Sequence, residues 1–324
     1  MLASLLVFAF GAAPPATDAP AAIASGLAYL DEYGANWQES RKCASCHHLA
    51  QTIWVLSEAK AAGFKVDDKF LKDVVQFVSA ADNRSKLFVD PDPKKPETAK
   101  QLSGGAVYAL LALSAIEKPG KDEAALQAKA VRHILDRQDK DGGWATMRMQ
   151  PIVDDRPTAA ALVALSLAST KLEGESAAAA KAAWTKSLAF LNEQKGDAAE
   201  LQFHVLRLWL QVKAGDPGVA AAVERVRKLQ NADGGWSQAK DLPSDAWATG
   251  QTLYVLAVAG QKPDDAAIQK ARAFLVKTQR GDGSWLMKSR PKDPEKKTAK
   301  NLEPITYAGT SWALLGLIRT TPKK

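Results

Sequence analysis

One seven-residue turn signature occurs three times in this chain and limits the folds that it can adopt. It reads Gln-x-x-Asp-Gly-Gly-Trp at residues 138–144 and 230–236, and residues 279–285 keep it with a serine as the sixth residue. Asp-Gly supplies the positive φ with which a helix ends, and we expect the tryptophan to pack back over that end. The glutamine can then reach peptide groups of a neighbouring helix. The signature therefore predicts repeated helix-turn-helix units.

The spacing of the signature predicts the number of units. Its three tryptophans are 92 and 49 residues apart, and half of 92 is 46, so an eroded copy is expected in the longer gap. Residues 190–197 provide it without the Gly-Trp ending, and residues 29–37 and 77–83 take equivalent places upstream. Alternating β-branched runs are absent, so the fold class is all-α. Closing a stack of hairpins removes its exposed ends, which predicts a single α/α toroid of about six helical hairpins over residues 21–324.

Residues 1–20 are predicted to be a leader outside this domain. A short apolar run ends at Pro14 and Pro15, too short to span a bilayer and typical of a secretory signal, although it lacks a preceding Lys or Arg. We therefore expect an exported protein, periplasmic or extracellular, with no transmembrane segment in the mature chain. The net charge of +7 is spread among acidic residues without a basic arm, so no nucleic-acid partner is predicted.

The sequence Cys-Ala-Ser-Cys-His-His at residues 43–48 contains both cysteines of the chain and two of its four histidines. A C-x-x-C-H pattern is typical of covalent haem attachment. In that interpretation Cys43 and Cys46 form the thioethers of haem c, and His47 is the proximal iron ligand. The alternatives are a local disulfide between the two cysteines or a zinc site. Zinc fits less well, because no second cysteine pair completes its coordination.

A haem iron bound by His47 would leave its sixth position for another side chain. The candidates are Met147 and Met149, which follow the first signature turn, Met287, which follows the last, and His204. A methionine at such a place is also a common gap filler. His204 lies at helical spacing from Leu201 and Leu208, which favours a hydrogen-bonded core histidine instead.

The three turns resemble the QW motifs of squalene-hopene cyclases and of the wider prenyltransferase and squalene-cyclase superfamily, over about residues 22–320. The resemblance implies an α/α toroid in which these turns are structural clamps. In the cyclases the general acid lies in an Asp-x-Asp-Asp motif at the start of an inner helix. Here Asp154-Asp155 lacks the first carboxylate and Asp245 stands alone, so these three are the catalytic candidates. Asp155 and Asp245 are also well placed as helix N-caps.

Three functions remain open from the sequence. The main prediction is an exported c-type haem protein on a toroid scaffold, with a redox or electron-transfer role and a redox partner protein. The first alternative is a squalene-cyclase-like or prenyltransferase-like enzyme acting on an isoprenoid or other apolar small molecule in a toroid lumen. Aromatic residues that would line this lumen are Trp54, Tyr108, Phe203, Trp247, Tyr254, Tyr307 and Trp312. The second alternative is a non-enzymatic protein-interaction toroid with a Cys43–Cys46 disulfide.

Overall fold

The computed structural model describes residues 18–41, 48–84, 87–88, 94, 100–145, 155–194, 201–239, 242–288 and 302–322. This part of the chain is helical, and its only strand-like pairing is one isolated bridge between Trp236 and Asp245. In chain order the helices are α1 (Ala19–Arg41), α2 (His48–Ala61), α3 (Asp68–Ser79), α4 (Ala81–Arg84), α5 (Gly104–Ser114), α6 (Lys121–Leu135), α7 (Arg156–Ser169), α8 (Gly174–Glu193), α9 (Leu201–Ala214), α10 (Val219–Lys228), α11 (Ala246–Val258), α12 (Ala266–Thr278) and α13 (Glu303–Thr320).

Six of these helices form a closed inner ring. Contacts run from α2 to α5, α7, α9, α11 and α13 in turn, and α13 contacts α2 again. The inner helices are buried along most of their length, whereas outer helices such as α3, α10 and α12 bury only a stripe. The outer helices α1, α3, α6, α8, α10 and α12 each precede an inner helix in the chain. The predicted all-α toroid of about six hairpins is confirmed.

The closest approach in the ring joins α11 to α13. A Cβ added to Gly250 would lie 2.3 Å from the carbonyl oxygen of Trp312, and one added to Gly316 would lie 2.5 Å from the carbonyl oxygen of Gly250. Real Cβ atoms do not approach backbone so closely, so glycine is needed at this crossing. Two small residues therefore let the backbones of neighbouring inner helices touch.

The signature turns that follow α6, α10 and α12 each connect that outer helix to the next one around the ring. The Nε2 of Gln230 donates hydrogen bonds to the carbonyl of Gly234, in its own turn, at 2.8 Å and to that of Ala267 in α12 at 2.9 Å. Trp236 is fully buried, and its Nε1 donates to the carbonyl of Val226 at the end of α10 at 2.9 Å. The orphan carbonyls of a helix end thus gain partners from one short turn. The same pattern recurs in the turns of Trp144 and Trp285.

The last signature turn joins the two ends of the toroid. Gln279 Nε2 donates to the carbonyl of Ala22 in α1 at 2.9 Å and to that of Gly283 at 2.9 Å. Gln138 makes the corresponding bond between consecutive outer helices, to the carbonyl of Ala183 in α8 at 2.8 Å. One repeated device therefore links neighbouring hairpins and also closes the ring. Within the described ranges, no helix is long and apolar enough to cross a membrane.

Candidate functional site

Four aromatic side chains from four inner helices meet on the axis of the toroid. Trp54 of α2 and Trp209 of α9 have ring centroids 6.2 Å apart, although their helices lie on opposite sides of the ring. Tyr254 of α11 packs edge-on against Trp54 at 5.6 Å, and Trp312 of α13 does so at 5.2 Å. All four side chains are buried. The axis at this level is therefore a continuous aromatic surface, which we call the aromatic layer.

A charged pair lies next to the aromatic layer, nearer the C-terminal ends of α2 and α13. The guanidinium of Arg319 donates to Glu58 Oε1 at 2.5 Å and lies 5.3 Å from the centre of the Tyr254 ring. The Tyr254 hydroxyl donates to the same carboxylate oxygen at 3.3 Å. Burial, and then the Glu58 charge, raise the pKa of the Tyr254 phenol. This end of the axis is thus held by an ion pair that shares its carboxylate with an aromatic residue.

A layer of neutral polar side chains lies on the other side of the aromatic layer. Trp247 and Gln251 precede Tyr254 by seven and three residues, so all three share one face of α11. Both side chains are 1% exposed, and neither Trp247 Nε1 nor Gln251 Nε2 has a hydrogen-bond partner among the described residues. On α2, Gln51 precedes Trp54 by three residues and is also buried. We call this set the amide layer.

Tyr108 of α5 completes the amide layer. Its burial raises the pKa of the phenol. The side chains of Trp312 and Gln51 face its hydroxyl and counter part of that rise, although neither reaches standard hydrogen-bond geometry. Side chains of three consecutive inner helices, α13, α2 and α5, therefore converge here. The layer can donate several hydrogen bonds but carries no formal charge.

A second aromatic cluster lies where α1, α2 and α13 meet. The ring of His48 stacks on Trp37 with centroids 3.9 Å apart and an interplanar angle of 8°, and Tyr307 lies 5.1 Å from it on α13. Tyr307 and Thr52 are joined by a hydrogen bond between their hydroxyl oxygens. Nearby, burial and then the charge of Asp67 raise the pKa of Asp31 to about 6. His48 is thereby anchored in the hydrophobic core.

Most predicted haem ligands lie outside the described residues. These are Cys43, Cys46, His47, Met147 and Met149. Haem attachment at the two cysteines and His47 stays a prediction.

The two remaining candidates for the sixth iron position are described. Met287 is fully buried under the last signature turn, against Gly309 of α13. His204 is half-buried on α9, with its ring 6.1 Å from that of Phe203. No group of three or more His, Cys, Asp or Glu side chains in the described ranges could hold a metal ion.

The carboxylate candidates serve as helix caps. Asp155 Oδ1 accepts from the backbone N–H of Thr158 at 2.8 Å, and Asp245 Oδ1 accepts from that of Ala248 at 2.9 Å. The second oxygen of Asp245 accepts from the N–H of Gln238 at 3.3 Å. Burial outweighs these bonds and raises the pKa of Asp245 to about 6. Asp154 lies outside the described residues.

Of the seven predicted lumen aromatics, Tyr307 lies in the second cluster, and Phe203 is buried on α9 beside His204. Sequence reasoning thus found five residues of the two layers, namely Trp54, Tyr254 and Trp312 in the aromatic layer and Tyr108 and Trp247 in the amide layer. It missed Trp209, although Trp209 follows Gln202 by two helical turns on α9. It also missed the buried glutamines. Their signal was a glutamine three residues before an aromatic residue, seen at Gln51 and Gln251.

Comparisons with known proteins identify toroids of the terpene-cyclase type. Residues 24–200 match the prenyltransferase alpha-alpha toroid domain, and residues 210–324 match the squalene-hopene cyclase C-terminal domain. A squalene–hopene cyclase from Zymomonas mobilis is 36% identical over 105 residues, which is 32% of this chain and 15% of the cyclase. The chain thus matches a small part of that relative.

Solved structures extend the likeness over nearly the whole chain. A type II terpene cyclase from Scytonema in complex with the substrate geranylgeranyl dihydroxybenzoate has a TM-score of 0.55 at 15% identity, covering 93% of this chain and 97% of that one. Its complex with the product merosterolic acid A has a TM-score of 0.54 at 14% identity, covering 93% and 96%. At such identities the likeness shows the fold alone.

These comparisons overturn the main functional prediction. A c-type haem protein with an electron-transfer role was expected, but the matched families and structures are cyclases and prenyltransferase-type toroids. The prediction was wrong because it weighted a local pattern of a few residues above repeats that extend along the chain. The alternative of an enzyme acting on an apolar molecule fits better.

Proposed function

Because the chain belongs to the prenyltransferase alpha-alpha toroid domain family, we propose that it is a terpene-cyclase-like enzyme that takes an isoprenoid or similar apolar molecule into its lumen. The observation that carries the proposal is the aromatic layer, where Trp54, Trp209, Tyr254 and Trp312 converge from four inner helices. The substrate class follows that of the terpene cyclases with which the chain shares its fold.

The aromatic layer suits the chemistry of isoprenoid cyclisation. Such reactions pass through carbocations, and the faces of tryptophan and tyrosine rings attract positive charge. The buried rings also exclude water, which would otherwise capture a cation early. The side chains of this chain would therefore hold a folded apolar substrate and stabilise charge that develops on it.

The proposal does not depend on Asp155 or Asp245 as a proton donor. Both oxygens of Asp245 accept backbone hydrogen bonds, and Asp155 bonds both the N–H and the hydroxyl of Thr158. A carboxyl whose pKa is about 6 is also a weak acid for protonating an alkene. Assignment of the acid is separate from assignment of the substrate class.

Incubation of the full chain with squalene and with shorter polyprenyl compounds tests the proposal. Binding is measured by equilibrium dialysis and turnover by mass spectrometry of the extracted products. Trp209→Leu should weaken isoprenoid binding about tenfold or more, because aromatic contacts at the axis are lost. Trp184→Leu, in the outer helix α8, is the matched control and should leave binding unchanged. Absence of saturable binding, or equal effects of the two substitutions, would contradict the proposal.

A further inference from the structure

The amide layer indicates which isoprenoids the lumen accepts. Resting on the proposed function, we propose that the lumen binds a neutral oxygenated isoprenoid, with its hydroxyl or carbonyl oxygen in the amide layer and its hydrocarbon chain against the aromatic layer. A pure hydrocarbon would leave Trp247 Nε1 and Gln251 Nε2 without a hydrogen-bond acceptor. A prenyl diphosphate would bring charges for which the layer has no counter-ion.

The two unpartnered donors of α11 carry an energetic cost. Trp247 Nε1 and Gln251 Nε2 lie on side chains that are each 1% exposed, and neither has a partner among the described residues. A buried donor without a partner costs about 1–3 kcal/mol, so two on adjacent turns of one helix are an expensive arrangement for an empty core. An indole N–H can only donate, so the missing group must be an acceptor.

The unpartnered donors lie on the side of α11 that faces the axis. Tyr254 contacts Trp54, Trp209 and Trp312, which come from three other inner helices, so its face of α11 looks toward the axis. Gln251 shares that face. Gly250 instead packs on the backbone of α13, and Thr249 bonds the signature turn of Trp236. The unpartnered amide is therefore on the axial side of α11 rather than in a helix contact.

The charge of the neighbouring side chains limits which ligand the amide layer can bind. No lysine or arginine is among the buried residues of the described ranges. Arg319 lies beyond the aromatic layer and is already paired with Glu58. A diphosphate moved into a buried layer of neutral donors would keep most of its desolvation penalty, because amide and indole groups cannot neutralise its charge. A hydroxyl or carbonyl oxygen needs only the hydrogen bonds that Gln251 and Trp247 can donate.

The test compares three probes of one chain length: geranylgeraniol, geranylgeranyl diphosphate and the hydrocarbon with the same prenyl chain. Each is carried in cyclodextrin, and its affinity for the full chain is measured by equilibrium dialysis. We expect the alcohol to bind about tenfold more tightly than the hydrocarbon, and the diphosphate no more tightly than the hydrocarbon, given the usual strength of one or two buried hydrogen bonds. The inference would be overturned if the hydrocarbon or the diphosphate bound more tightly than the alcohol, or if the alcohol and the hydrocarbon bound equally.

Substitutions locate the effect in the amide layer. Gln251→Leu should weaken alcohol binding about five- to tenfold and leave hydrocarbon binding unchanged, because leucine has a similar volume to glutamine but no hydrogen-bond donor. Gln269→Leu, on the exposed side of α12, is the control and should change neither. Trp247→Phe is a second variant with the same expected direction, which keeps the test decisive if Gln251→Leu does not fold. Equal weakening of both probes by Gln251→Leu would contradict the inference.

Failure of this inference differs from failure of the proposed function. If none of the three probes binds, the proposed function fails and the ligand class falls with it. If the hydrocarbon binds as well as the alcohol, and Trp209→Leu weakens both, the apolar lumen stands while the neutral-oxygen assignment fails. Water molecules in place of a ligand oxygen would give this second result.

Discussion

The signature turns and the axis of the toroid handle buried polar groups in opposite ways. In the turn of Trp236, the indole N–H donates to Val226, and the amide of Gln230 donates to two carbonyls. On the axis, the indole of Trp247 and the amide of Gln251 have no partner among the described residues. The same two chemical groups thus have hydrogen-bond partners in the signature turn and none among the described residues on the axis.

This difference separates stability from function. A satisfied and repeated turn is what a ring of hairpins requires, because each hairpin must hold its neighbour. An unsatisfied polar group inside a core lowers stability and is retained where something else completes it. Substitutions in the turns should therefore act on the free energy of unfolding, whereas substitutions in the amide layer should act on ligand binding.

The largest effect is expected for a glycine of a signature turn. Gly234 has φ +91°, and an added Cβ would lie 2.7 Å from the carbonyl oxygen of Lys270 in α12. Gly234→Ala should lower the free energy of unfolding by about 3–4 kcal/mol, because backbone strain and a clash with a rigid helix add together. Denaturant unfolding followed by far-ultraviolet circular dichroism measures it.

The matched control is Gly260, whose φ is +79° but whose added Cβ would meet nothing within 4 Å. Gly260→Ala should cost only the backbone strain, about 1–2 kcal/mol. The difference between the two variants isolates the contact between hairpins. Equal losses would mean that the turn contributes only its φ angle to the toroid.

The second effect concerns Asp245, which joins the turn of Trp236 to the start of α11. Its pKa rises from 3.8 to about 6 on folding because the carboxyl is buried. The folded chain therefore binds this proton more tightly than the unfolded chain. The stabilisation is complete below about pH 4, is lost as the pH rises to about 6, and is absent above that.

A shift of this size corresponds to a loss on the order of 2–3 kcal/mol across that pH range. Asp245→Asn should flatten the stability curve between about pH 4 and 6 by that amount, while its side-chain oxygen can still cap α11. Asp31, whose pKa is also about 6, keeps a slope of the same sign in this variant. Parallel curves for the variant and the parent chain would show that Asp245 does not titrate in this way.

The turns and the fold were predictable from sequence, whereas the side chains on the axis were predictable only in part. A turn that needs positive φ, a cap or a clamp draws on a few residue types, so its signature is visible at residues 138–144 and at the capping residues Asp155 and Asp245. Inner helices are apolar on nearly all faces, so hydrophobic periodicity cannot show which face looks toward the axis. Trp209 was missed for that reason.

The amide layer was hidden for a related physical reason. Gln51 and Gln251 belong to helices that are each several turns long, and a single glutamine in such a helix is ordinarily a solvent-exposed residue. Only the closure of the ring, through contacts of residues far apart in sequence, makes both of them buried. Which polar groups become unsatisfied is a property of the assembled ring and not of any local pattern.

The third prediction removes an indole N–H from each region. Trp236→Phe deletes the indole donor to the carbonyl of Val226, which keeps the backbone N–H of Leu229 at 3.2 Å as a partner. Trp247→Phe deletes a donor that has no partner among the described residues. Both lose similar ring volume, so Trp236→Phe should be less stable than Trp247→Phe by about 1 kcal/mol, the net value of the one hydrogen bond that it loses, as measured by denaturant unfolding. The opposite order would mean that the Trp247 N–H is satisfied in solution without any ligand.

The smallest effect tests whether ring closure adds anything to an ordinary link between hairpins. Gln279→Ala removes the bond to Ala22 that joins the last turn to α1, and Gln138→Ala removes the equivalent bond to Ala183 between consecutive outer helices. Each variant also loses the bond that its amide donates within its own turn, so both should cost a similar amount, about 1–2 kcal/mol in all, and the difference between the two variants should be small. Hydrogen exchange then separates them: amides near the start of α1 should lose protection in Gln279→Ala and keep it in Gln138→Ala, because Gln279 bonds to α1 whereas Gln138 bonds to α8. If both variants leave α1 equally protected, the contacts of α1 with α2 and α13 hold the ring closed, and Gln279 is only another hydrogen-bonded link between hairpins.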